Sequence, residues 1–311
     1  MRRLISIVLC FVILLTVSAC GNKPNGDNNK TPSEPVTDTK PNAEENKTPS
    51  SSTVLSPVAD CDDDGVLKIL TIGNSFSNNT MKYVYEIATA CGIDKVYHGN
   101  LYIGGCTLDT HAENARTDKN AYTYYTNQYG VWIDKKYHKM SEAIKSQNWD
   151  FISLQQASAD SYNPETFGKL DYLISYVKSL AKDSTLVWNM TWAYDRSKNS
   201  RQNYMYTNII STVQKKVEPL SDIRAIIPCG TAIQNARTSF VGDNMTNDGM
   251  HLNTLGEYVA GLTLVHKLTG LPIENINYTA GLSKNRIQAA IEAATNAVKT
   301  PYEVTNSTVT K

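Results

Sequence analysis

The sequence predicts an α/β fold in three layers, with a parallel sheet of about five strands covered on both faces by helices. Two observations support this prediction. Short apolar runs alternate along the chain with longer amphipathic segments. The apolar runs are also close to continuous, which is typical of parallel strands that are buried on both faces. The region that carries this alternation has the length of one large domain.

The predicted elements follow one another in a regular order. Five strands are predicted at Val66 to Ile72, Val96 to Ile103, Phe151 to Gln155, Thr185 to Met190 and Arg224 to Pro228. Five helices are predicted from apolar residues at helical spacing, at Thr80 to Cys91, Thr166 to Ala181, Asn203 to Val217, Thr254 to Leu268 and Lys284 to Val298. Functional groups in such folds collect at the carboxyl ends of the strands, so polar residues there are the candidates for chemistry.

One segment interrupts the alternation of strands and helices. Tyr122 to Tyr137 carries many aromatic residues around Asn-Gln-Tyr-Gly at positions 127–130. Turn residues between two aromatic runs indicate an inserted hairpin or loop.

The first twenty residues have the pattern of a signal peptide. A basic start precedes an almost wholly apolar stretch, Leu4 to Val17, which is short for a membrane span. Small residues then precede Cys20, and this ending resembles the lipobox of bacterial lipoproteins. The resemblance implies cleavage before Cys20 and attachment of the mature chain, through lipid on that cysteine, to the extracytoplasmic face of a bacterial cell membrane. The alternative is an ordinary secretory signal in which Cys20 is incidental.

The remaining chain divides by composition. Residues 21–60 are Asn, Lys, Pro, Thr, Ser, Asp and Glu with scarcely an aliphatic side chain, which predicts a disordered stalk. Residues 61–300 form the predicted globular domain, and residues 301–311 a C-terminal tail.

Charge and cysteine content restrict the partners. Thirty basic residues balance thirty acidic ones without a strong basic block, so no nucleic-acid partner is indicated. Six cysteines are present, widely spaced and without a CxxC pair, so a zinc site is not predicted. Most of those outside the signal segment are predicted as buried thiols, although an extracellular location permits a disulfide.

Ser75 is the first candidate for chemistry. It follows the first predicted strand directly, behind Gly73 and Asn74, at the entry to a helix. A serine hydroxyl needs a base within hydrogen-bond reach before it becomes a useful nucleophile. The alternative is a plain turn, because Ser and Asn often cap helices.

A suitable base lies far downstream. Asp248 precedes His251 by three residues, immediately ahead of a predicted helix. An aspartate at this spacing can hold one imidazole nitrogen while the other faces a serine. Taken alone, the segment is also typical of an Asp-Gly turn before a helix. Together, Ser75, His251 and Asp248 are the residue types that nucleophilic acyl transfer requires.

These blocks resemble the SGNH (GDSL-type) hydrolase superfamily. Gly73-Asn74-Ser75 matches its first block and Asp248-Gly249-Met250-His251 its last, in the same order, over roughly Leu67 to Leu268. More narrowly, "IGNSFS", "LQQAS" and "DGMHL" resemble a poorly characterised bacterial branch. The resemblance implies a flavodoxin-like sheet, a serine hydrolase mechanism, and no metal or organic cofactor.

The superfamily also implies an oxyanion hole that stabilises the developing negative charge. Its donors would be the backbone amides of Ser75 and Gly105, the latter after the second strand. Each such donor contributes roughly 3–4 kcal/mol in known enzymes. The usual Gly-x-Asn block is absent here, and "DFISLQQASAD" stands in its place. Gln156, or alternatively Gln155, would then supply the amide donor. The other interpretation is that both glutamines only cap the strand edge.

The predicted function is therefore a serine esterase. An anchored protein on a stalk fits work on large extracellular glycans, and the superfamily includes enzymes that remove O-acetyl groups from polysaccharides. An acetylated carbohydrate is the predicted substrate, with the membrane contacted only through lipid. Lipid esters and thioesters remain open. The alternatives from other classes are a surface glycan-binding lipoprotein with little or no turnover and a solute-binding lipoprotein.

Overall fold

The computed structural model describes residues 64–311, and in this part of the chain one sheet forms the centre of the fold. Its strands are β1 (Leu67–Gly73), β2 (Val96–Tyr102), β3 (Tyr122–Gln128), β4 (Val131–His138), β5 (Phe151–Leu154), β6 (Thr185–Asn189) and β7 (Ile223–Ile227). Their order across the sheet is β4-β3-β2-β1-β5-β6-β7. The five predicted strands, β1, β2, β5, β6 and β7, are parallel.

Helices cover both faces of this sheet. Within the described residues they are α1 (Ser75–Met81), α2 (Val84–Ala90), α3 (Leu108–Arg116), α4 (Met140–Lys145), α5 (Leu170–Leu180), α6 (Gln202–Lys216), α7 (Cys229–Arg237), α8 (Thr254–Thr269) and α9 (Lys284–Lys299). A short 3₁₀ helix spans Pro164–Phe167. Helices α1, α2, α7, α8 and α9 pack on one face, and α3, α4, α5 and α6 on the other. The predicted three-layer α/β/α fold is confirmed.

Strand β1 is mostly apolar because it contributes side chains to the cores on both faces of the sheet. Leu67 and Ile69 contribute to the core on one face of the sheet. Leu70 and Ile72 contribute to the core on the other. Because successive side chains of a strand point to opposite faces, a strand covered on both sides is mostly apolar on both faces; Lys68 and Thr71 are the buried polar exceptions in β1.

The topology also fixes where a site can form. Strand β1 pairs with β2 on one side and with β5 on the other, and the chain proceeds outward from each of these pairings in opposite directions. Such a reversal opens a crevice at the carboxyl ends of the strands. Ser75 follows β1 at this point.

The segment Tyr122 to Tyr137, predicted as an inserted hairpin or loop, is a hairpin that joins the sheet. Strand β3 pairs antiparallel with β2, and β4 pairs antiparallel with β3. The sheet therefore has seven strands where the sequence predicted about five. The physical reason is that the outer edge of β2 carries backbone donors and acceptors that β3 satisfies.

Several helix predictions differ from the structure. The predicted helix Thr80 to Cys91 is two helices, α1 and α2, because the chain turns at Lys82 and Tyr83. The start of the predicted helix Thr166 to Ala181 falls in the 3₁₀ helix, and α5 begins only at Leu170. Helices α3, α4 and α7 were not predicted. Eight of the nine residues of α7 are buried, so it has no polar face to reveal a helical period.

The predicted signal peptide (1–20) and stalk (21–60) lie outside the described residues. The predicted C-terminal tail is packed against the domain: the Thr305 backbone N–H donates to the Asn235 side chain at 2.8 Å, and that of Thr308 to Glu292 at 2.9 Å. None of the helices in residues 64–311 has the length and apolar character needed to cross a bilayer.

Candidate active site

Ser75 is held at the junction of β1 and α1 by its neighbour Asn74. The Asn74 side-chain oxygen accepts the Phe76 N–H at 3.0 Å and so caps α1. The Asn74 side-chain amide donates to the Cys106 carbonyl at 3.1 Å, which ties this turn to the loop after β2. Ser75 is the first residue of the helix and is half-buried, so its hydroxyl lies at the surface of the crevice.

Asp248 and His251 form a compact turn ahead of α8. One carboxylate oxygen of Asp248 accepts the backbone N–H groups of Met250 and His251, at 3.0 and 2.7 Å. The other lies 2.6 Å from Nδ1 of His251. The hydrogen bond with the His251 ring, followed by those with the backbone, holds the pKa of the Asp248 carboxyl well below its usual range. The carboxylate is therefore an ionised acceptor at neutral pH.

The structure brings this turn to Ser75 across 176 residues of sequence. Nε2 of His251 lies 2.9 Å from the Ser75 hydroxyl oxygen. The three residues that the sequence singled out thus form one continuous hydrogen-bonded chain from carboxylate to imidazole to hydroxyl. An imidazole that contacts a hydroxyl on one side and a carboxylate on the other can accept the hydroxyl proton.

Three further contacts, two from side chains and one from the backbone, hold the His251 turn in place. Nε1 of Trp192 donates to the Met250 carbonyl at 2.8 Å, just before His251. Just after it, the Leu252 N–H donates to the side chain of Asn79 on α1 at 3.1 Å. The backbone N–H of Asp195 donates to the Gly249 carbonyl at 2.9 Å. The sequence did not predict these contacts.

The loop that carries Gly105 lies beside the serine turn. The Ile103 N–H donates to the Gly73 carbonyl at 3.4 Å, and Asn74 holds the Cys106 carbonyl as described above. Gly105 is exposed and has a φ of 62°, a left-handed conformation that favours glycine. Burial raises the pKa of the neighbouring Cys106 thiol to about 12, so this thiol stays protonated and is no competing nucleophile at neutral pH.

The side-chain amides of the two glutamines, predicted as alternative oxyanion donors, have hydrogen-bond partners of their own in the structure. Nε2 of Gln156 donates to the carbonyl and the hydroxyl of Thr166, at 2.9 and 3.2 Å, so both its protons point at the 3₁₀ helix. Nε2 of Gln155 donates to the Asn74 side chain at 2.9 Å. Both glutamines are buried. Their amides instead fasten the end of β5 to its surroundings, as in the alternative interpretation.

The chain is similar to proteins of one family, both in sequence and in structure. The family model DUF4886, described as a domain of unknown function, matches residues 68–298. The chain belongs to the DUF4886 family. The crystal structure of a DUF4886 family protein from Bacteroides uniformis is 37% identical to it, with a TM-score of 0.74. That match covers 78% of this chain and 98% of the other.

More distant structures are also similar. A lipase/acylhydrolase from Enterococcus faecalis is 13% identical, covering 66% of this chain and 96% of that one, with a TM-score of 0.46. A carbohydrate esterase family 3 protein from Talaromyces cellulolyticus is 14% identical, covering 68% and 100%, with a TM-score of 0.44. A comparison with the curated proteins finds no match. The predicted three-layer α/β/α fold is the fold of this chain, and a putative SGNH hydrolase from Slackia heliotrinireducens and a member of the lipolytic G-D-S-L family from Veillonella parvula are among the similar structures.

In this DUF4886 domain three aromatic residues lie at or just after the end of β6, and two of them are part of the core. Trp188 and Trp192 are buried, so neither presents a face to a sugar ring. Tyr194 is half-buried, and its hydroxyl lies 2.9 Å from that of Ser158 on the loop after β5. Tyr194 is therefore the one of these three aromatics that can contact a substrate.

The main residue that sequence reasoning underused is Asn74. It links β1, α1, the Gly105 loop and Gln155 through its two side-chain atoms. An asparagine between a strand-ending glycine and a helix is a typical N-cap, and that signal was available. Its contacts with Cys106 and Gln155 depend on tertiary packing between residues far apart in the sequence, so no local sequence pattern indicates them.

Proposed function

We propose that this DUF4886 protein is a serine esterase with Ser75, His251 and Asp248 as its catalytic residues. The observation that carries the proposal is the hydrogen-bonded chain through these three side chains, with contacts of 2.9 and 2.6 Å. Separations of this size are those expected of a nucleophile, its base and the group that orients the base.

The reaction follows from the direction of this chain. The Ser75 hydroxyl oxygen attacks an acyl carbonyl while Nε2 of His251 takes its proton. Asp248 orients the ring and stabilises the positive charge that the ring acquires. The tetrahedral intermediate collapses as His251 returns the proton to the leaving alcohol. Water, activated by His251, then hydrolyses the ester formed on Ser75.

The negative charge of the intermediate requires hydrogen-bond donors. The backbone N–H of Ser75 has no acceptor within its own helix because it belongs to the first residue. The Gly105 N–H lies on the loop that Asn74 holds beside Ser75. We assign the oxyanion to these two backbone amides. Neither glutamine amide is included, since Gln155 donates to the Asn74 side chain and Gln156 donates to Thr166.

The substrate class rests on the sequence at the N-terminus. Attachment through Cys20 to the outer face of a bacterial membrane, by way of the stalk, would present the domain to macromolecules outside the cell. An O-acetyl ester of an extracellular polysaccharide or glycan fits this placement. The proposed activity is therefore carbohydrate acetyl ester hydrolysis.

The first test is hydrolysis of p-nitrophenyl acetate by the full-length protein. Ser75→Ala and His251→Ala are each expected to lower kcat at least about a thousandfold, because each removes a group on which acyl transfer depends. Ser175→Ala is the matched control, since this serine is exposed on α5. It is expected to retain the wild-type rate.

Equal rates in the wild type, Ser75→Ala and His251→Ala would overturn the esterase proposal and favour a glycan-binding protein without turnover. Release of acetate from acetylated xylan, pectin and acetylated sialylated glycans then tests the substrate class. An enzyme that cleaves p-nitrophenyl acetate but releases acetate from none of these would refute the carbohydrate part of the proposal alone.

A further inference from the structure

A single buried side chain, Trp192, contacts both halves of the site described above. It lies in the segment that follows β6 and is fully excluded from solvent. One half of the site is the turn and helix that carry Ser75. The other is the turn that carries Asp248 and His251. These halves are far apart in sequence, so their relative position depends on contacts between them.

Trp192 reaches the serine half through Phe76, the residue after Ser75. The two rings are stacked, with centroids 4.1 Å apart and planes 12° from parallel. Phe76 is also buried, and its ring meets the His251 ring edge-on with centroids 6.1 Å apart. Aromatic contacts of this kind stabilise the packed rings beyond the effect of the area they bury.

Trp192 reaches the histidine half through a polar contact. Its ring N–H donates to the Met250 carbonyl at 2.8 Å. The turn itself is closed by Asp248, whose carboxylate accepts two backbone N–H groups within it. Loss of the Trp192 contact would therefore leave the Asp248–His251 pair intact but remove one of the contacts that hold the turn in position, with the Leu252–Asn79 contact remaining.

We propose that Trp192 is a positioning residue that sets the separation of Ser75 and His251, by stacking on Phe76 and holding the Met250 carbonyl. The inference rests on the esterase function proposed above. The indole is suited to both roles because it combines a large flat apolar surface with one N–H donor at its edge. The expected consequence of its loss is a slower chemical step with little change in substrate binding.

Trp192→Phe tests this role, because phenylalanine keeps a stacking ring and removes the N–H. We expect kcat for p-nitrophenyl acetate to fall about tenfold or more, since small misplacements of reacting groups are costly. KM is expected to change less than twofold. Trp188→Phe is the matched control: Trp188 is equally buried but packs in the core on the opposite face of the sheet. It should lose thermal stability while keeping its kcat.

A Trp192→Phe variant whose kcat equals that of Trp188→Phe would show that Trp192 is only a core residue, and would overturn the inference. If Trp192→Phe does not fold, Phe76→Leu removes the stacking partner from the other side and must lower kcat in the same way.

Reaction of the wild type with a fluorophosphonate separates the two proposals. A wild type that neither turns over ester nor labels at Ser75 would overturn the esterase function and the inference resting on it. An active wild type with an unimpaired Trp192→Phe would overturn the inference alone.

Discussion

At the scale of single residues, the two carboxylate oxygens of Asp248 have separate tasks. One accepts the backbone N–H groups of Met250 and His251 and closes the turn. The other contacts Nδ1 of His251 and carries the proposed catalytic role. In an asparagine variant, the side-chain carbonyl oxygen can still accept the two backbone N–H groups. The His251 ring would then face an amide N–H₂ or an uncharged oxygen instead of a carboxylate. Alanine loses both.

Asp248→Asn is therefore expected to lower kcat by roughly 10²- to 10⁴-fold with a thermal midpoint near that of the wild type. Asp248→Ala should lower kcat similarly and also the midpoint. Steady-state kinetics and thermal unfolding of both variants check this. Equal thermal midpoints for the two variants would show that the turn does not depend on the carboxylate.

The sign of the pH effect follows from the lowered pKa of Asp248. A carboxyl with a lowered folded-state pKa contributes stability above its unfolded pKa, and loses it only as the pH falls through the folded value. Because that folded value is well below the usual range, loss of wild-type activity between pH 7 and pH 5 is not expected to come from protonation of Asp248.

The site residues show what can be predicted from residue type and spacing. Ser75, Asp248 and His251 were predicted because each has a recognisable place at the end of an element, and the structure brings them together. The direction of an amide side chain leaves no such signal. Gln156, or alternatively Gln155, was therefore predicted as the donor, whereas in the structure Gln156 donates to Thr166 and Gln155 donates to Asn74.

At the scale of elements, the segment that carries Trp192 is pressed against the start of α7. The Gly230 N–H donates to the Met190 carbonyl at 2.8 Å. A Cβ at Gly230 would lie 2.2 Å from the Thr191 carbonyl oxygen, closer than van der Waals contact allows. A side chain there must push the segment before Trp192 outward, since the contact is with backbone and not with a flexible side chain.

Gly230→Ala is thus expected to cost about 1–3 kcal/mol of unfolding free energy, the usual range for overpacking. It should also lower kcat, because it displaces the segment that bears Trp192. Urea unfolding and ester hydrolysis measure the two effects. Gly168→Ala is the control, because its φ is −61° and a Cβ there meets no atom within 4 Å. A Gly230→Ala variant as stable as Gly168→Ala would contradict the proposed contact.

The elements themselves were predictable where burial imposes a simple pattern. The five parallel strands lie within about two residues of the apolar runs, because a strand covered on both faces is mostly apolar. Helix α7 was missed for a related reason, since burial on all sides removes the polar face that would reveal it. The pairing of the β3–β4 hairpin with β2 depends on a free sheet edge, which only the assembled sheet defines.

At the scale of the whole molecule, burial of His98 couples folding to pH. Its ring lies under Trp132 of the edge strand β4, with centroids 5.0 Å apart, and is inaccessible to solvent. Among residues 64–311, neither of its ring nitrogens has a hydrogen-bond partner. Burial alone lowers the pKa of His98 to about 3. The folded protein therefore keeps this ring neutral over a pH range in which the unfolded chain protonates it.

The sign of the effect is that stability is lost as the pH falls. The unfolded ring binds a proton near pH 6.5 and the folded one only near pH 3, so acid favours the unfolded chain throughout that interval. Between pH 7 and pH 5 the loss of unfolding free energy due to His98 is about 2 kcal/mol.

The variant His98→Phe preserves ring packing against Trp132 and removes the titrating group. The unfolding free energy of each protein is measured in urea at pH 7 and at pH 5. From pH 7 to pH 5 it should fall by about 2 kcal/mol less in His98→Phe than in the wild type. Equal losses in the two proteins would mean that His98 is hydrated or protonated in the folded state, and that the edge of the sheet does not seal it from water.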